Sequence, residues 1–227
     1  MKRLFIILAA AMMAVGAMAQ EGVTKFLGIP VDGFKSEMIQ KLKAKGYQYN
    51  AANDYLTGEF NGRNVNIFVV TNNNKVYRIM VADEMYMSEG DIKIRFNTLC
   101  RQFEKNERYI NPTFEDYTIS DSEDISYEMT VNNKRYQASY YQIPQKVDSA
   151  SIAQETIEHI KNKYGSDEDI AKMTEDEKMN ALSSAMMYII EKYSDNSVWF
   201  MISERYGRYG ILLYYDNRKN QANGEDL

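Results

Sequence analysis

Hydrophobic residues after position 33 first recur with the period of a helix and then alternate as they do in strands. The apolar face of the first helix consists of Phe34, Met38, Ile39 and Leu42. Strand-like segments follow at 55–60, 65–70 and 76–81, and Asn61-Gly62 between the first two is the strongest short signal for a two-residue hairpin turn. The pattern therefore predicts one helix followed by a three-stranded meander.

The same order recurs after residue 87. A second helix is predicted over 89–106, and its apolar face consists of Ile92, Phe96, Leu99, Cys100 and Phe103. Four further segments are predicted as strands: 125–131, 136–141, 198–203 and 210–215. Between the middle two, residues 149–193 have helical periodicity, and Thr174 with Glu177 forms a capping box.

This layout predicts an α+β fold of two related units, 20–87 and 88–216, each with a helix packed on an antiparallel β-meander. The second unit carries a helical insertion at 149–193. No Pro- or Ser-rich linker separates the units, so we expect one continuous sheet or two tightly abutting ones. The polar residues 217–227 are predicted to be a disordered tail.

The first residues have the features of a secretory signal peptide. Lys2 and Arg3 precede twelve uncharged residues at 4–15, and Ala17-Met18-Ala19 gives a small-residue cleavage site. Twelve residues are too few to span a bilayer, which takes about 20. We predict cleavage between Ala19 and Gln20, and a periplasmic or secreted mature chain without a membrane span.

Charge and composition exclude several functional classes. The net charge is −5, and loss of residues 1–19 reduces the 27 basic residues to 25 against 32 acidic ones, a net charge of −7. This balance argues against nucleic-acid binding, which needs a concentrated basic face. With one His and one Cys, a zinc cluster of His and Cys ligands cannot be built, and we predict neither a metal site nor a cofactor. Cys100 is predicted to be buried, and His159 to be structural or solvent-facing.

Paired carboxylates are the remaining candidates for catalysis. Glu123-Asp124 and the run 167–169 could in principle serve as the acid and base of a glycosidase. Adjacent carboxylates in loops and at helix starts more often act as solvated caps. We therefore predict a non-enzymatic protein and keep as the alternative a hydrolase of envelope or polysaccharide substrates that uses carboxylates from both units.

Two short segments resemble known protein groups. The run from Gly33 to Leu42, Gly-Phe-Lys-Ser-Glu-Met-Ile-Gln-Lys-Leu, resembles the helix that opens the SmpA/BamE-like and β-lactamase-inhibitor-protein-like modules. That resemblance implies tandem units of a helix on an antiparallel sheet that bind other proteins. The chain departs from the family pattern at 45–47, Lys-Gly-Tyr, where the family has Gly-x-Pro. The run Phe26–Gly33 resembles exported proteins of Gram-negative gut bacteria whose function is not established.

The connection between the last two strands is the predicted binding site. It carries Arg205, Tyr206, Arg208 and Tyr209 where Asn, Gly or Asp would make a cheaper turn. Tyr and Arg are enriched among the residues that dominate binding energy at protein interfaces. We therefore expect an exported binding module of the cell envelope whose partner is another envelope protein or a glycan.

Overall fold

The computed structural model describes residues 22–113, 115–144, 149–222 and Gly224. The predicted signal peptide, 1–19, and its cleavage site between Ala19 and Gln20 lie outside the described residues. The fold is α+β, with helices packed on a large antiparallel sheet, and this confirms the predicted class.

The elements are numbered in chain order. The helices are α1 (Lys35–Ala44), α2 (Glu89–Glu104), α3 (Ile125–Val131), α4 (Ser149–Tyr164), α5 (Asp167–Ala171) and α6 (Glu175–Tyr193). The strands are β1 (Lys25–Phe26), β2 (Ile29–Pro30), β3 (Gln48–Asn50), β4 (Tyr55–Phe60), β5 (Arg63–Asn72), β6 (Lys75–Asp83), β7 (Tyr109–Ile110), β8 (Gln137–Gln142), β9 (Ser197–Arg205) and β10 (Arg208–Asp216).

One antiparallel sheet of eight strands runs through both predicted units. Its order is β3-β4-β5-β6-β10-β9-β8-β7, and β1 and β2 form a separate small hairpin. Each unit contributes four strands, and the two halves meet where β6 pairs with β10, with Met80 opposite Tyr214. The expected continuous sheet is therefore present, and the last strand of each unit lies at its centre.

Helices α1 and α2 cover one face of this sheet. Met38 and Leu42 of α1 are fully buried against it, as their spacing predicts. Ser88 caps helix α2, because its hydroxyl accepts a hydrogen bond from the Asp91 N–H, and the helix buries the apolar series that includes Cys100. The predicted burial of Cys100 is confirmed.

The helical insertion lies on the opposite face, at the β8 side of the sheet. Tyr140 belongs to the main core and Tyr141 to a second, smaller one, and successive side chains of a strand point to opposite faces. The smaller core joins Tyr141 and Ile143 to residues of the insertion, namely Ile152, Ile189 and Tyr193. Helix α6 begins with the predicted capping box of Thr174 and Glu177.

Two arginine–aspartate pairs hold the junction between β6 and β10. On the helix side, Arg95 of α2 donates two hydrogen bonds to Asp83, at 2.7 Å and 2.5 Å. On the opposite face, Arg78 donates two to Asp216, at 2.6 Å and 2.8 Å, and lies over the rings of Tyr214 and Trp199. The Arg78–Asp216 pair thus joins the two half-sheets directly, whereas Asp83 of β6 binds α2 through Arg95 and β10 through the Ile211 N–H.

Two predictions about local structure are wrong. Residues 125–131 form helix α3 and not a strand, because the Asp124 carboxylate accepts a hydrogen bond from the Tyr127 N–H and so starts a helix. The predicted tail of 217–227 begins too early. Asn217 is buried and donates to the Val31 carbonyl at 2.9 Å, and Asn220 donates to the Val76 carbonyl at 2.8 Å.

Candidate functional site

The hairpin between β9 and β10 has the tightest possible connection. Arg205 pairs with Arg208, and only Tyr206 and Gly207 lie between them. Both have positive φ angles, 52° and 70°, which is the conformation of a type I′ turn. Tyr206 is 96% exposed, so its ring projects into solvent from the tip.

A tyrosine at this turn position is costly. Seven described residues other than glycine have a positive φ, and five of them are Asn or Asp, which tolerate it best. The two exceptions are Leu27 and Tyr206. For a residue with a Cβ the left-handed region costs about 1–2 kcal/mol, and Tyr206 has no buried contact to offset this cost. Tyr206 therefore occupies a backbone conformation that disfavours tyrosine.

Tyr209 does not belong to the exposed turn. It is 3% exposed, lies in β10 opposite Glu204, and exchanges two backbone hydrogen bonds with Met87, at 2.8 Å and 3.0 Å. The prediction that placed Tyr209 in the turn is wrong, because the turn contains only two residues and β10 begins at Arg208. Tyr209 instead fastens the loop before α2 to the hairpin.

Tyr86, in the loop before α2, contacts the residues next to the hairpin tip. Its ring lies against Gly210, where an added Cβ would be 3.2 Å from a ring carbon. Arg208 donates to the Tyr86 carbonyl at 3.0 Å, and the Arg205 guanidinium lies 5.7 Å from the centre of the Tyr86 ring. These contacts fix both arginines and make the tip a preorganised surface.

A groove beside the tip extends along α2. It has a volume of about 620 Å³ and lies between α2 and the β4–β5 turn. Its walls include Asn61, Arg63, Met85, Tyr86, Ile94 and Gln102. Met85 is 76% exposed and Ile94 is 68% exposed, so two large apolar side chains lie open at its edge. We call this the α2 groove, and we call Arg205, Tyr206 and Arg208 the tip patch.

The surface around the tip carries three arginines and also three carboxylates, Glu84, Asp91 and Glu204. Within the described ranges, Arg63, Arg205 and Arg208 form no ion pair with a carboxylate. The carboxylate that lines the groove, Asp91, accepts the Ser88 hydroxyl at 2.6 Å in the cap of α2. At the tip itself the Glu204 carboxylate accepts the Gly207 N–H at 2.5 Å, and the two arginines of the hairpin are exposed without a paired carboxylate among the residues that the structure describes.

Four of the five carboxylates considered for catalysis are engaged in structural contacts, including Asp167, which pairs with Lys161 at 2.8 Å, and the fifth, Glu168, is exposed. Glu123 pairs with Lys134 and accepts the Tyr136 hydroxyl at 2.5 Å, and these bonds, that to Lys134 most of all, hold the pKa of Glu123 below its usual range. Asp124 caps α3, and Asp169 completes a capping box at the start of α5. Among the described residues, no group of three or more His, Cys, Asp or Glu side chains could hold a metal ion.

The two single reactive side chains are also in structural positions. The His159 ring stacks on Tyr188 with a centroid distance of 4.6 Å, and its Nε2 lies 3.4 Å from the Ser184 hydroxyl. Burial raises the pKa of the Cys100 thiol to about 12, which keeps it protonated and unreactive.

Comparisons with known proteins leave the chain without an assigned relative. No family model, curated protein or solved structure matches it significantly. No helix in the described part of the chain is long and apolar enough to cross a membrane.

The structure adds residues to the site that the sequence analysis did not select. Of the four predicted residues it places Arg205, Tyr206 and Arg208 at the exposed end of the hairpin, and it shows Met85 and Ile94 exposed along the α2 groove. A signal for Met85 was present, because two methionines and a tyrosine at 85–87 stand between the end of a strand and the cap of a helix. Apolar residues in such a short connection indicate either a core contact or an interface.

Proposed function

We propose that the protein is an exported, non-enzymatic binding module of the cell envelope that binds another envelope protein through the tip patch. The observation that carries this proposal is Tyr206, which is 96% exposed and stands at a turn position that disfavours tyrosine. Export rests on the signal-peptide features of residues 1–19.

The chemistry of the tip patch suits a protein partner. Tyrosine and arginine are the residue types that most often dominate interface energy, and they do so when their surroundings hold them in place. Here Tyr86 holds both arginines. Met85 and Ile94 leave apolar surface exposed along the α2 groove, and burial of such surface is favourable by about 25 cal/mol per Å².

A single substitution separates binding from stability. Asparagine is favoured at the position of Tyr206 in a type I′ turn, so Tyr206→Asn should leave the free energy of unfolding unchanged or raise it by up to about 1 kcal/mol. The same change removes the ring that a partner would contact. We therefore expect Tyr206→Asn to be at least as stable as the unsubstituted chain and to bind the partner more weakly.

The assay is capture from an envelope extract with the mature chain as bait. Proteins retained by the unsubstituted chain should be lost with Tyr206→Asn and kept with the control Tyr127→Ala, which removes an exposed tyrosine from α3. Protease and glycosidase treatment of the extract then distinguishes a protein partner from a glycan. Equal retention by all three baits would refute a binding role for the tip patch.

The hydrolase alternative has less support in the geometry. A glycosidase needs two carboxyl groups facing each other across the substrate. Among the described residues that line the α2 groove the one carboxylate is Asp91, and it is engaged in the cap of α2.

A further inference from the structure

A second cavity lies on the helix side of the sheet, next to the α2 groove. It has a volume of about 380 Å³, and five aromatic rings form much of its wall: Tyr47, Phe60, Phe103, Tyr109 and Tyr215. We call it the aromatic pocket. We propose that the aromatic pocket binds a small, mainly apolar molecule that carries no negative charge.

The size and lining of the pocket match those of sites for small ligands. Such sites measure about 300–1,000 Å³ and are lined mainly by apolar and aromatic groups with a few polar ones. A volume of 380 Å³ equals the space of about a dozen water molecules at about 30 Å³ each. A molecule with one or two fused rings therefore fits.

The tyrosine hydroxyl groups in the wall already have partners within the protein. Tyr47 donates to the Glu59 carbonyl at 3.0 Å, and the Tyr109 hydroxyl accepts from the Gln142 amide at 3.1 Å. Burial, and after it the neighbouring Tyr109, holds the pKa of Tyr215 well above its ordinary value. The Tyr47 and Tyr109 hydroxyls are therefore already engaged, and the remaining polar groups of the wall belong to Glu59, Asn61, Gln102 and Asn106.

Charge at the pocket excludes anions. Of the described residues that line it, none is Lys or Arg, and the one carboxylate is Glu59. An anion would lose its hydration without gaining a positive partner, which costs free energy. Ring faces and a carboxylate attract a cation instead, and the amides of Asn61, Gln102 and Asn106 can bond to a neutral polar group.

The mouth of the pocket has an apolar edge and a polar edge. Leu27 occupies the β1–β2 turn with a φ of 52°, the only described residue besides Tyr206 that is neither Asn, Asp nor Gly at a positive φ. It is partly exposed and lines the mouth. On the other side, Asn61 donates to Gln102 at 2.9 Å, and this bridge separates the aromatic pocket from the α2 groove.

Three naphthalene probes of similar size test the proposal by isothermal titration calorimetry on the mature chain. The neutral probe is 1-naphthalenemethanol, the cationic one (1-naphthylmethyl)trimethylammonium, and the anionic one naphthalene-1-sulfonate. We expect the neutral and cationic probes to bind at one site and the sulfonate to bind at least about tenfold more weakly. Absence of binding by the first two, or equal binding by the sulfonate, would overturn the proposal.

Two variants locate the bound probe. Gln102 is exposed on α2, so Gln102→Trp should fold and block the mouth, which lowers affinity for the neutral probe at least about tenfold. Gln40→Trp, on the exposed side of α1, is the matched control and should bind normally. Unchanged affinity in Gln102→Trp would place the probe elsewhere and refute the proposal.

The result is independent of the tip patch. Tyr206 does not line the aromatic pocket, so Tyr206→Asn should bind the neutral probe as the unsubstituted chain does. Failure of either idea therefore leaves the other standing.

Discussion

Replacing Asp83 by alanine removes the acceptor that ties helix α2 to the junction of the two half-sheets. The carboxylate accepts two hydrogen bonds from Arg95 and a third, at 3.0 Å, from the Ile211 N–H of β10. The Asp83 side chain is 2% exposed and that of Arg95 12%. The substitution therefore leaves a buried guanidinium and a buried backbone donor without their partner.

The expected loss is large because the surviving groups stay buried. Breaking one half of a buried ion pair costs about 3–5 kcal/mol, and much of this is the penalty on the remaining charge. For a chain of this length, 1 kcal/mol shifts the melting temperature by about 2–4 °C, so Asp83→Ala should lower it by about 6–20 °C. Arg95→Ala should cost a similar amount. The double variant should cost clearly less than the sum, because neither charge is left alone.

Unfolding in guanidinium chloride, followed by tryptophan fluorescence, measures these differences. Trp199 is the only tryptophan, and it stacks on Tyr214 of β10 with a centroid distance of 4.0 Å, so its emission reports on the central strands. Arg101→Ala is the control, because Arg101 is an exposed arginine on the same helix. A loss below about 1 kcal/mol for Asp83→Ala, or strict additivity in the double variant, would refute the reasoning.

Three further predictions concern the core, the thiol and the N-terminus. Leu42→Ala should lower the free energy of unfolding by about 2–5 kcal/mol, and Lys41→Ala should have little effect; an unchanged melting temperature for Leu42→Ala would contradict the packing of α1. Native Cys100 should resist thiol reagents. In the folded state burial raises the pKa of the Cys100 thiol to about 12. The folded chain therefore holds this proton more tightly than the unfolded chain, and the free energy of unfolding should fall by about 1–2 kcal/mol between about pH 8 and about pH 10. Cys100→Val should reduce this dependence on pH. Exported protein should begin at Gln20, and an intact mass that retains Ala19 and the preceding residues would contradict the predicted cleavage.

Local signals in the sequence were sufficient for most elements. The spacing of Met38 and Leu42, the Asn61-Gly62 turn and the capping box at Thr174 each depend on neighbouring residues, and each is confirmed. The error at 125–131 is also local: strand-forming residues there follow Asp124, whose capping bond favours a helix. Short edge strands such as β3 and β7 have too few residues to show a pattern.

The site depended on contacts that a linear sequence does not display. The exposed and buried sides of the last hairpin are set by the pairing of Arg205 with Arg208, and a longer turn would have exposed Tyr209 as well. The α2 groove needs Met85, Ile94 and the β4–β5 turn to meet in space. The spacing of residues along the chain does not predict this contact between distant segments. The unusual residues of the last turn, in contrast, could be recognised from the sequence.

The central position of β10 in the sheet has a consequence for folding. This strand comes last in the large sheet, yet it lies at the centre between β6 and β9. Synthesis proceeds from the N-terminus, so the five residues of β6 that pair with β10, 78–82, stay without that partner until β10 has been made. Such an edge is a template for pairing with other chains. A chain that lost β10 would keep this edge of β6 unpaired permanently. We therefore expect such a truncated chain to aggregate as well as to be less stable.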